Sequence, residues 1–466
     1  KKKNINKKYL IDRVKIVADF LKIDKSKVIR LDHHTCHAFY SYYISPFINR
    51  KVLALTVDGF GDGLNSTIGI FDKNGDYKRT YKTNICAIAR IYRYMTLLLG
   101  MKPNEHEYKL MGLAPYGKIK YSKKALNVFR STLNVEGTKF KWKIKPTDSY
   151  FWFKEKLEGE RFDSIAWAVQ TWVEELLTKW VKNCVKKYKI SNVVISGGVA
   201  LNIKAMGKVA ELSEVKKLFV GGSASDESLA LSAGICLIDQ LEKRKKKHLG
   251  LSKFPQIKSL YLGPSNNYEL EKKAIDTLNK KKFKIYKNAT NKKIATFIAK
   301  GKIIARCAGR MEFGQRALGN RSILADPRHL SIKEKINSAI KNRDFWMPFA
   351  PIILDKFANE YIENPKNLDS PFMTIGFKTT EKGYKNMIAA SHIADKSARP
   401  QILKENDNPK LYKIIEKFYK KTNCASLLNT SFNLHGYPIV NSPKDAFYVF
   451  ENSDLDILVL NNFIIV

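Results

Sequence analysis

The chain of 466 residues carries a formal net charge of +39, and 44% of its residues are hydrophobic. This length and this hydrophobic content exclude a single small domain and a mainly disordered chain. The longest nearly apolar run, from Leu229 to Ile238, is far too short to span a bilayer, so we expect no membrane association.

The positive charge alone would suit nucleic acid, anionic lipid or phosphorylated small molecules. Lysines are spread along the whole chain, and no arginine-rich arm or ordered array of stacking aromatics is present, so a nucleic-acid partner is not expected. No Cys-x-x-Cys pair occurs, which favours reduced thiols and a cytoplasmic location. The six cysteines are Cys36, Cys86, Cys184, Cys236, Cys307 and Cys424.

The first half of the chain predicts helices and strands in alternation. Apolar residues at helical spacing predict a helix and its lead-out over residues 8–30, and the apolar run at 52–57 predicts a strand. Residues 66–71 and 77–81 predict a hairpin, with a type I′ turn at Asn74-Gly75. A long apolar stripe over residues 163–187 predicts a helix that faces the core.

The second half predicts a further α/β or α+β unit. Residues 192–202 indicate a buried strand that runs into a glycine turn and a helix, and residues 216–220 indicate another short strand. The polar stretch 241–258 breaks the periodicity and predicts a domain boundary. Beyond it, helices alternate with strands predicted over 302–307, 352–354, 425–428 and 457–460.

Two histidines and two aspartates form a candidate metal site. His33 and His37 lie four residues apart, so in a helix both imidazoles face one side and can reach one ion. Asp58 and Asp226 each follow an apolar strand beside glycines, where loops above a sheet usually build sites. This donor set suits Fe(II), Zn(II) or Mn(II) and leaves positions open for substrate. His34 would point about 100° away from the shared face, so we consider it a weaker ligand candidate or a substrate contact.

Two other segments are candidates for binding anions. Residues 196–202 present backbone amides at a glycine turn before a helix, although such a turn could be only a connection. Residues 309–322 carry three arginines among glycines directly after a predicted strand, and guanidinium groups bind phosphate oxygens bidentately. Downstream, Lys341, Arg343 and residues 429–433 add two cations together with hydroxyl and amide groups.

Six blocks in one order resemble the NodU/CmcH carbamoyltransferase family, over a match that runs from about residue 30 to the C-terminus. The blocks are His-His-x-x-His-Ala at 33–38, Val-Asp-Gly-x-Gly-Asp-Gly at 57–63, Tyr-Lys-x-Met-Gly-Leu-Ala-Pro-Tyr-Gly at 108–117, Ser-Gly-Gly-Val-Ala-x-Asn at 196–202, Gly-Arg-x-Glu-Phe-Gly-x-Arg-Ala-Leu-Gly-Asn-Arg-Ser at 309–322 and Asn-Thr-Ser-Phe-Asn at 429–433.

The resemblance implies an α/β protein with two domains. Residues 1–250 would form an ASKHA domain (RNase H-like, actin-like), and residues 259–466 would form a YrdC-like domain. The implied activity is that of an O-carbamoyltransferase. In the YrdC-like domain, carbamoyl phosphate and ATP give carbamoyl adenylate and pyrophosphate. In the ASKHA domain, a metal helps to transfer the carbamoyl group to a hydroxyl of a small molecule or glycan.

The resemblance also implies roles for residues that match its motifs, with Fe(II) or another divalent metal and ATP with Mg²⁺ as cofactors; it allows a homodimer. The implied metal ligands are His33, His37, Asp58 and Asp226. The implied adenylate-binding and phosphate-binding residues are Gly197, Gly198, Asn202, Arg310, Arg316 and Arg321. The implied Lys-x-Arg and Ser-x-Asn pairs are Lys341 with Arg343 and Ser431 with Asn433. The implied catalytic residues are His37, Asp58, Lys341 and Arg343.

One departure from the family pattern concerns the N-terminus. Family members have a strand and a hairpin ahead of the histidine block, whereas only 32 residues precede His33 here, so we expect the first domain to lack its N-terminal strands. Two alternatives stay open. One is an enzyme of tRNA threonylcarbamoyladenosine-type modification, and the other is an inactive, truncated homologue that acts as a binding protein.

Overall fold

The computed structural model describes residues 13–245, 256–277 and 283–466. These residues form a mixed α/β structure, which confirms the predicted α/β class. The helices are α1 (13–21), α2 (His33–Tyr43), α3 (Ile88–Leu98), α4 (Glu107–Leu113), α5 (Ile119–Arg130), α6 (Ser149–Lys156), α7 (Phe162–Tyr188), α8 (Ile203–Glu211), α9 (Ser228–Lys245), α10 (Tyr268–Asp276), α11 (Asn291–Ala299), α12 (Ser331–Ile336), α13 (Ala358–Tyr361), α14 (Glu381–Asn386), α15 (Pro409–Thr422) and α16 (Pro443–Glu451).

Most strands belong to two large sheets, and four short ones form two separate pairs. The strands are β1 (Val52–Gly61), β2 (Leu64–Phe71), β3 (Tyr77–Thr83), β4 (Leu133–Glu136), β5 (Lys139–Trp142), β6 (Asn192–Ser196), β7 (Lys217–Val220), β8 (Ile285–Lys287), β9 (Ile304–Cys307), β10 (Arg321–Ala325), β11 (Ala350–Leu354), β12 (Phe377–Lys378), β13 (Ser397–Ala398), β14 (Gln401–Leu403), β15 (Ser426–Ser431), β16 (Ile457–Val459) and β17 (Phe463–Ile465).

The first sheet has five strands in the order β3-β2-β1-β6-β7. The first three are antiparallel neighbours, whereas β1, β6 and β7 run parallel, with Leu53 opposite Val193 and Thr56 opposite Ser196. Strand β1 is buried from residue 52 to residue 58, which explains its unbroken apolar run. Because β1, β6 and β7 are parallel, their carboxyl ends lie at one edge of the sheet, where sites in α/β proteins form.

The second sheet has eight strands in the order β14-β11-β15-β10-β9-β16-β17-β8. Its neighbours are antiparallel except for the pairs β11–β14 and β9–β16. Strand β10 lies in the middle of this sheet, between β15 and β9. Arg321 is its first residue and pairs with Cys307 of β9. One of the predicted phosphate-binding arginines therefore belongs to a central strand.

The division into two domains stays a prediction. All strands of the first sheet precede residue 221 and all strands of the second sheet follow residue 284. However, one continuous cluster of buried apolar side chains includes residues of both sheets, such as Leu55 of β1 and Ile352 of β11. Of the predicted boundary at 241–258, residues 246–255 lie outside the described part of the chain.

The hairpin of β2 and β3 is confirmed, but its predicted type I′ turn is wrong. Phe71 pairs with Tyr77, so residues 72–76 form a longer connection. The Asp72 carboxylate accepts the N–H groups of Asn74 and Asp76 at 2.8 and 2.9 Å. Only Gly75 in this connection has a positive φ, of 87°. A type I′ turn needs positive φ at two central residues, and the aspartate instead stabilises a turn with a single left-handed position.

The other predicted elements are confirmed with small shifts in their ends. The long helix covers Phe162–Tyr188, and the strand before the glycine turn covers Asn192–Ser196. Of the helix and lead-out predicted over residues 8–30, residues 8–12 lie outside the described part of the chain, and the described part of the helix ends at residue 21. All six cysteines are buried and free. Within the described ranges, no helix combines the length and the apolar character that crossing a bilayer requires.

Lys366 links the second half of the chain to helix α8. Its ammonium group donates to the carbonyl oxygens of Ala210, Leu212 and Val215 at 2.6, 2.5 and 2.8 Å. These carbonyls lie at and just after the C-terminal end of α8, where backbone acceptors lack helical partners and a cation is favourable. The lysine therefore caps a helix from a segment that lies more than 150 residues away.

We expect Lys366→Met to destabilise the protein by about 1–3 kcal/mol, because it keeps the aliphatic chain but removes hydrogen bonds from a charged donor to three carbonyls. Denaturant unfolding monitored by circular dichroism measures the change. The control is Lys413→Met, since Lys413 is exposed on α15. Equal unfolding midpoints for the two variants would contradict the capping role.

Candidate active site

The four predicted metal ligands lie together in the structure. Four potential ligand atoms all lie within 4.8 Å of one another, one each from His33, His37, Asp58 and Asp226. The two imidazole Nε2 atoms are 3.1 Å apart. The Asp226 Oδ1 atom lies 3.6 Å from Nε2 of His33 and 3.5 Å from Nε2 of His37. The juxtaposition predicted from the sequence is therefore present in the structure.

The fold explains why these side chains converge. Asp32 is the N-cap of α2, and its carboxylate accepts the N–H of Thr35 at 2.7 Å, so the helix begins at His33. His33 and His37 then lie one turn apart on α2, which packs on β1 and β6. Asp58 lies near the end of β1, and Asp226 follows β7 at the same sheet edge.

The Asp58 carboxylate joins three elements. Its Oδ1 accepts the backbone N–H of Gly198 at 2.7 Å, and its Oδ2 lies 3.3 Å from Nε2 of His33. Burial opposes ionisation of Asp58, but the hydrogen bonds from His33 and Gly198 outweigh it and hold the pKa of the carboxyl well below its usual range. Burial likewise opposes the charged form of His33, yet Asp58 and Asp226 raise its pKa.

The donor set fits a divalent transition metal. Two imidazole nitrogens and two carboxylates suit Fe(II), Zn(II) or Mn(II), and Asp226, whose side chain is 63% exposed, leaves one side of the cluster open. The Nδ1 atom of His37 has the hydroxyl oxygens of Ser196 and Ser228 at 3.4 and 3.5 Å. Such outer partners orient an imidazole whose other nitrogen binds a metal.

His34 is not placed as a substrate contact, so that expectation is wrong. Its side chain is fully buried, and its Nδ1 atom lies 2.8 Å from the Thr56 hydroxyl inside the β1–β2 pair. Burial lowers its pKa to about 4, which favours the neutral ring. His34 is a core residue because the face of α2 opposite the solvent packs on the sheet.

The glycine turn after β6 supports Asp58 closely. Gly197 has φ of 98°, and a Cβ atom there would lie 2.3 Å from the Val57 carbonyl oxygen, so only glycine fits. The N–H of Gly198 is already donated to Asp58. Asn202 caps α8 through the N–H of Ala205, and its amide pairs with the amide of Gln170 at 2.9 and 3.0 Å. Gly198 and Asn202 nevertheless line the same cavity as Asp58.

A second group of predicted residues converges in the second sheet. Lys341 donates to the Ser431 hydroxyl at 3.2 Å and to Oδ1 of Asn433 at 2.7 Å, while Arg343 donates to the Thr430 hydroxyl at 3.1 Å. Lys341 ends a π-helical turn and is followed by Asn342 with φ of 41°. This local geometry directs Lys341 inward, where burial and the charge of Arg343 lower its pKa well below the usual value.

Two further arginines lie beside Arg343. Arg316, which was predicted, and Arg399, which sequence reasoning missed, line one cavity together with Arg343. Burial and the neighbouring Arg343 lower the pKa of Arg316 to about 10. Burial, together with the charges of Arg316 and Arg343, lowers the pKa of Arg399. Within residues 13–245, 256–277 and 283–466, none of the three has an ion pair. Arg399 stands alone between Ala398 and Pro400, so no local motif marks it.

The other two predicted arginines do not line this cavity. Arg310 is exposed and donates to the carbonyl oxygens of Leu262 and Gly263 at 2.6 and 3.0 Å. Arg321 is fully buried, and its guanidinium donates to backbone carbonyls that include Ala308 and Asn441. Both side chains therefore hold the arginine-rich loop to its surroundings.

The candidate metal site and the cluster of three arginines lie in adjoining cavities. The arginine cluster consists of Arg316, Arg343 and Arg399, and the metal cluster means the four candidate ligands described above. The cavity beside Asp58 and Asp226, which we call the metal-side cavity, has four residues in common with the arginine-lined cavity. These shared residues are Tyr108, Met111, Gln315 and Arg316. Tyr108 and Met111 come from α4, which an ion pair of 3.0 Å between Lys109 and Asp344 ties to the loop after Arg343. The two sites thus face each other across one wall.

Comparison with known families identifies the class of protein. Residues 2–235 match the family description "Carbamoyltransferase N-terminus", and residues 295–466 match "Carbamoyltransferase C-terminus". The protein is thus a transferase that moves carbamoyl groups. The chain belongs to the NodU/CmcH carbamoyltransferase family, as the motif blocks predicted.

Relatives agree with this family. The chain is 35% identical to "Uncharacterized protein MJ1051" of Methanocaldococcus jannaschii, over 97% of this chain and 86% of that protein. It is 28% identical to nodulation protein NolO of Bradyrhizobium diazoefficiens, over 93% and 78%. It is also 28% identical to the 3'-hydroxymethylcephem-O-carbamoyltransferase of Amycolatopsis lactamdurans, over 35% and 31%.

We expect the purified protein to bind about one equivalent of Fe(II) or Zn(II) at this cluster. His37→Ala removes one ligand and should weaken metal affinity by more than about 100-fold, because even a lost outer partner costs 10–100-fold. Anaerobic titration with metal analysis of the desalted protein measures both. His329→Ala changes an exposed histidine outside the site and serves as the control. Equal metal content in the two variants would rule out His37 as a ligand.

Proposed function

We propose that this chain is an O-carbamoyltransferase that makes carbamoyl adenylate in the arginine-lined cavity and uses it at the metal cluster. The observation that carries the proposal is the wall shared by two chemically different cavities. Because the two cavities share lining residues, a reactive mixed anhydride formed at one site would lie next to the other, which would limit its exposure to bulk water, where it would hydrolyse. Arg316, which lines both cavities, supports this arrangement.

The arginine-lined cavity has the chemistry for phosphate-bearing substrates. Arg316, Arg343 and Arg399 are partly removed from water and lie close to one another, which is unfavourable for their positive charges. Polyanionic ligands such as ATP with Mg²⁺ and carbamoyl phosphate would compensate these charges. In the balanced reaction, water releases phosphate from carbamoyl phosphate, and a carbamate oxygen attacks the α-phosphorus of ATP. That bond forms as the bond to pyrophosphate breaks. Lys341 would hold Ser431 and Asn433 in place around the reacting groups.

The metal-side cavity would perform the transfer. His33, His37, Asp58 and Asp226 would hold an Fe(II) ion, which supplies Lewis-acid activation of the carbamoyl oxygen or of the acceptor hydroxyl. The acceptor oxygen forms a bond to the carbamoyl carbon, the bond from that carbon to the phosphate oxygen of AMP breaks, and the hydroxyl proton leaves to water. Gly198 keeps Asp58 ionised and in position during this step.

The architecture supports the finer domain assignment. The strand order β3-β2-β1-β6-β7, with three antiparallel strands followed by parallel ones, fits an ASKHA (RNase H-like) domain. The mostly antiparallel sheet that carries Lys341 and Arg343 near its surface fits a YrdC-like domain. Both assignments are part of the proposal.

The first test is an ATP–pyrophosphate exchange assay. We expect labelled pyrophosphate to enter ATP when carbamoyl phosphate is present. Threonine with bicarbonate should not replace it, because that pair is the donor in the threonylcarbamoyl alternative. Exchange that depends on threonine would overturn the proposal in favour of that alternative, and no exchange with either donor would favour an inactive homologue.

The second test concerns Arg399, which no motif marked. Arg399→Ala should lower carbamoyl-phosphate-dependent exchange at least about tenfold, since charge-assisted hydrogen bonds to phosphate are among the strong ones. Its matched control is Arg50→Ala, an exposed arginine outside both cavities. The exchange rate is measured at several ATP concentrations, and an unchanged rate for Arg399→Ala would exclude it from the phosphate site.

A further inference from the structure

The metal-side cavity carries two arginines that none of the steps above uses. Arg90 and Arg93 lie three residues apart on α3, so they share one face of the helix, and both line this cavity. Neither lines the arginine-lined cavity on the other side of the shared wall. They therefore belong to the metal-side cavity and not to the cavity in which the adenylate would form.

Among the residues that the structure describes, neither arginine has an acidic partner. In the described part of the chain no ion pair or side-chain hydrogen bond involves Arg90 or Arg93, and the guanidinium of Arg93 only lies 5.6 Å from the Tyr94 ring centroid. Two unpaired guanidinium groups beside a cavity are suited to a carboxylate or phosphate ligand, which their fork-shaped donors can bind bidentately.

The acids of the same cavity are already engaged. Asp58 and Asp226 belong to the metal cluster. Glu105 forms an ion pair with Lys102 at 2.5 Å, and Glu107 accepts the backbone N–H of Asn104 at 2.6 Å. In the described part of the chain, none of these acids forms an ion pair with Arg90 or Arg93.

An aromatic ring lies at the edge of the same cavity. Phe60 follows Asp58 by two residues, lines the cavity and leaves 56% of its surface exposed. An exposed ring beside cationic groups offers an apolar surface to a ligand whose other end is charged. The metal-side cavity thus has a pair of cationic groups and an apolar ring, which are the two elements of a small binding site.

We propose that the hydroxyl-bearing acceptor is an acid, a carboxylated or phosphorylated small molecule or glycan, whose anionic group binds Arg90 and Arg93 while its hydroxyl faces the metal cluster. This inference rests on the proposed function, because it names the class of substrate for the transfer step. It predicts that neutral and cationic hydroxyl compounds are not the acceptor.

The test follows the charge of the product, so the acceptor need not be known. The protein, loaded with Fe(II), is incubated with ATP, ¹⁴C-labelled carbamoyl phosphate and a small-molecule extract of the cells that produce it. Labelled products are separated by anion exchange at pH 7. We expect the label in a fraction retained as an anion that mass spectrometry shows to have gained one carbamoyl group.

Matched variants connect the product to the two arginines. Arg90→Ala with Arg93→Ala should raise the amount of extract needed for half-maximal labelling at least about tenfold, since two charge-assisted contacts are lost. Lysine at both positions keeps the charge and should restore much of the labelling. Arg50→Ala is the control, and a thermal melt of each variant shows whether the fold is kept.

The possible failures are distinguishable. A labelled product that elutes as a neutral or cationic compound overturns this inference and leaves carbamoyl transfer standing. Equal labelling by the double alanine variant and the wild type also overturns it. Pyrophosphate exchange without any labelled product overturns the transfer step of the proposed function, and the absence of exchange overturns the proposed function itself.

Discussion

The buried carboxylate of Asp58 is the constraint on which the site depends. It accepts the Gly198 N–H at one oxygen and contacts His33 at the other, so it fixes the end of β1 against α2 and against the turn after β6. A buried carboxylate without such partners would take up a proton, because burial disfavours its charge. The hydrogen bonds keep it ionised, and an ionised Asp58 in turn holds the His33 imidazole at the candidate metal site.

The arginine cluster follows the opposite principle. Within the described ranges, Arg316, Arg343 and Arg399 line one cavity without an ion pair to any acid, and burial lowers the pKa of each. A bound anion would offset this burial of positive charge. The net charge of +39 adds a general attraction for such ligands, but it is the buried cluster that selects by geometry.

The sequence allowed the metal ligands to be predicted because their spacing follows the local geometry of one helix and of two strand ends. The juxtaposition of Lys341 with Ser431 and Asn433 came from the family resemblance and not from local pattern. Periodicity also located most strands and the long helix. The buried position of Arg321 could not be predicted, because the motif does not show that this arginine begins strand β10 inside a sheet. Arg399 has no local sequence signal, because only tertiary packing brings it to the cavity. The turn at Gly75 differs from the type I′ turn that the Asn-Gly pair predicts, because the Asp72 carboxylate accepts the backbone N–H groups of Asn74 and Asp76.

Helix α8 connects the two halves in a way that limits how they can move. Asn202 at its first end lines the metal-side cavity, Lys366 caps its last carbonyls, and Gly207 approaches the Gly376 carbonyl so closely that a Cβ atom would lie 2.3 Å from it. Backbone contact of this kind leaves no soft side chains to absorb sliding. The second half of the chain is therefore held to α8 by backbone contact and by one lysine, so α8 cannot slide past residues 366 and 376 without breaking these contacts.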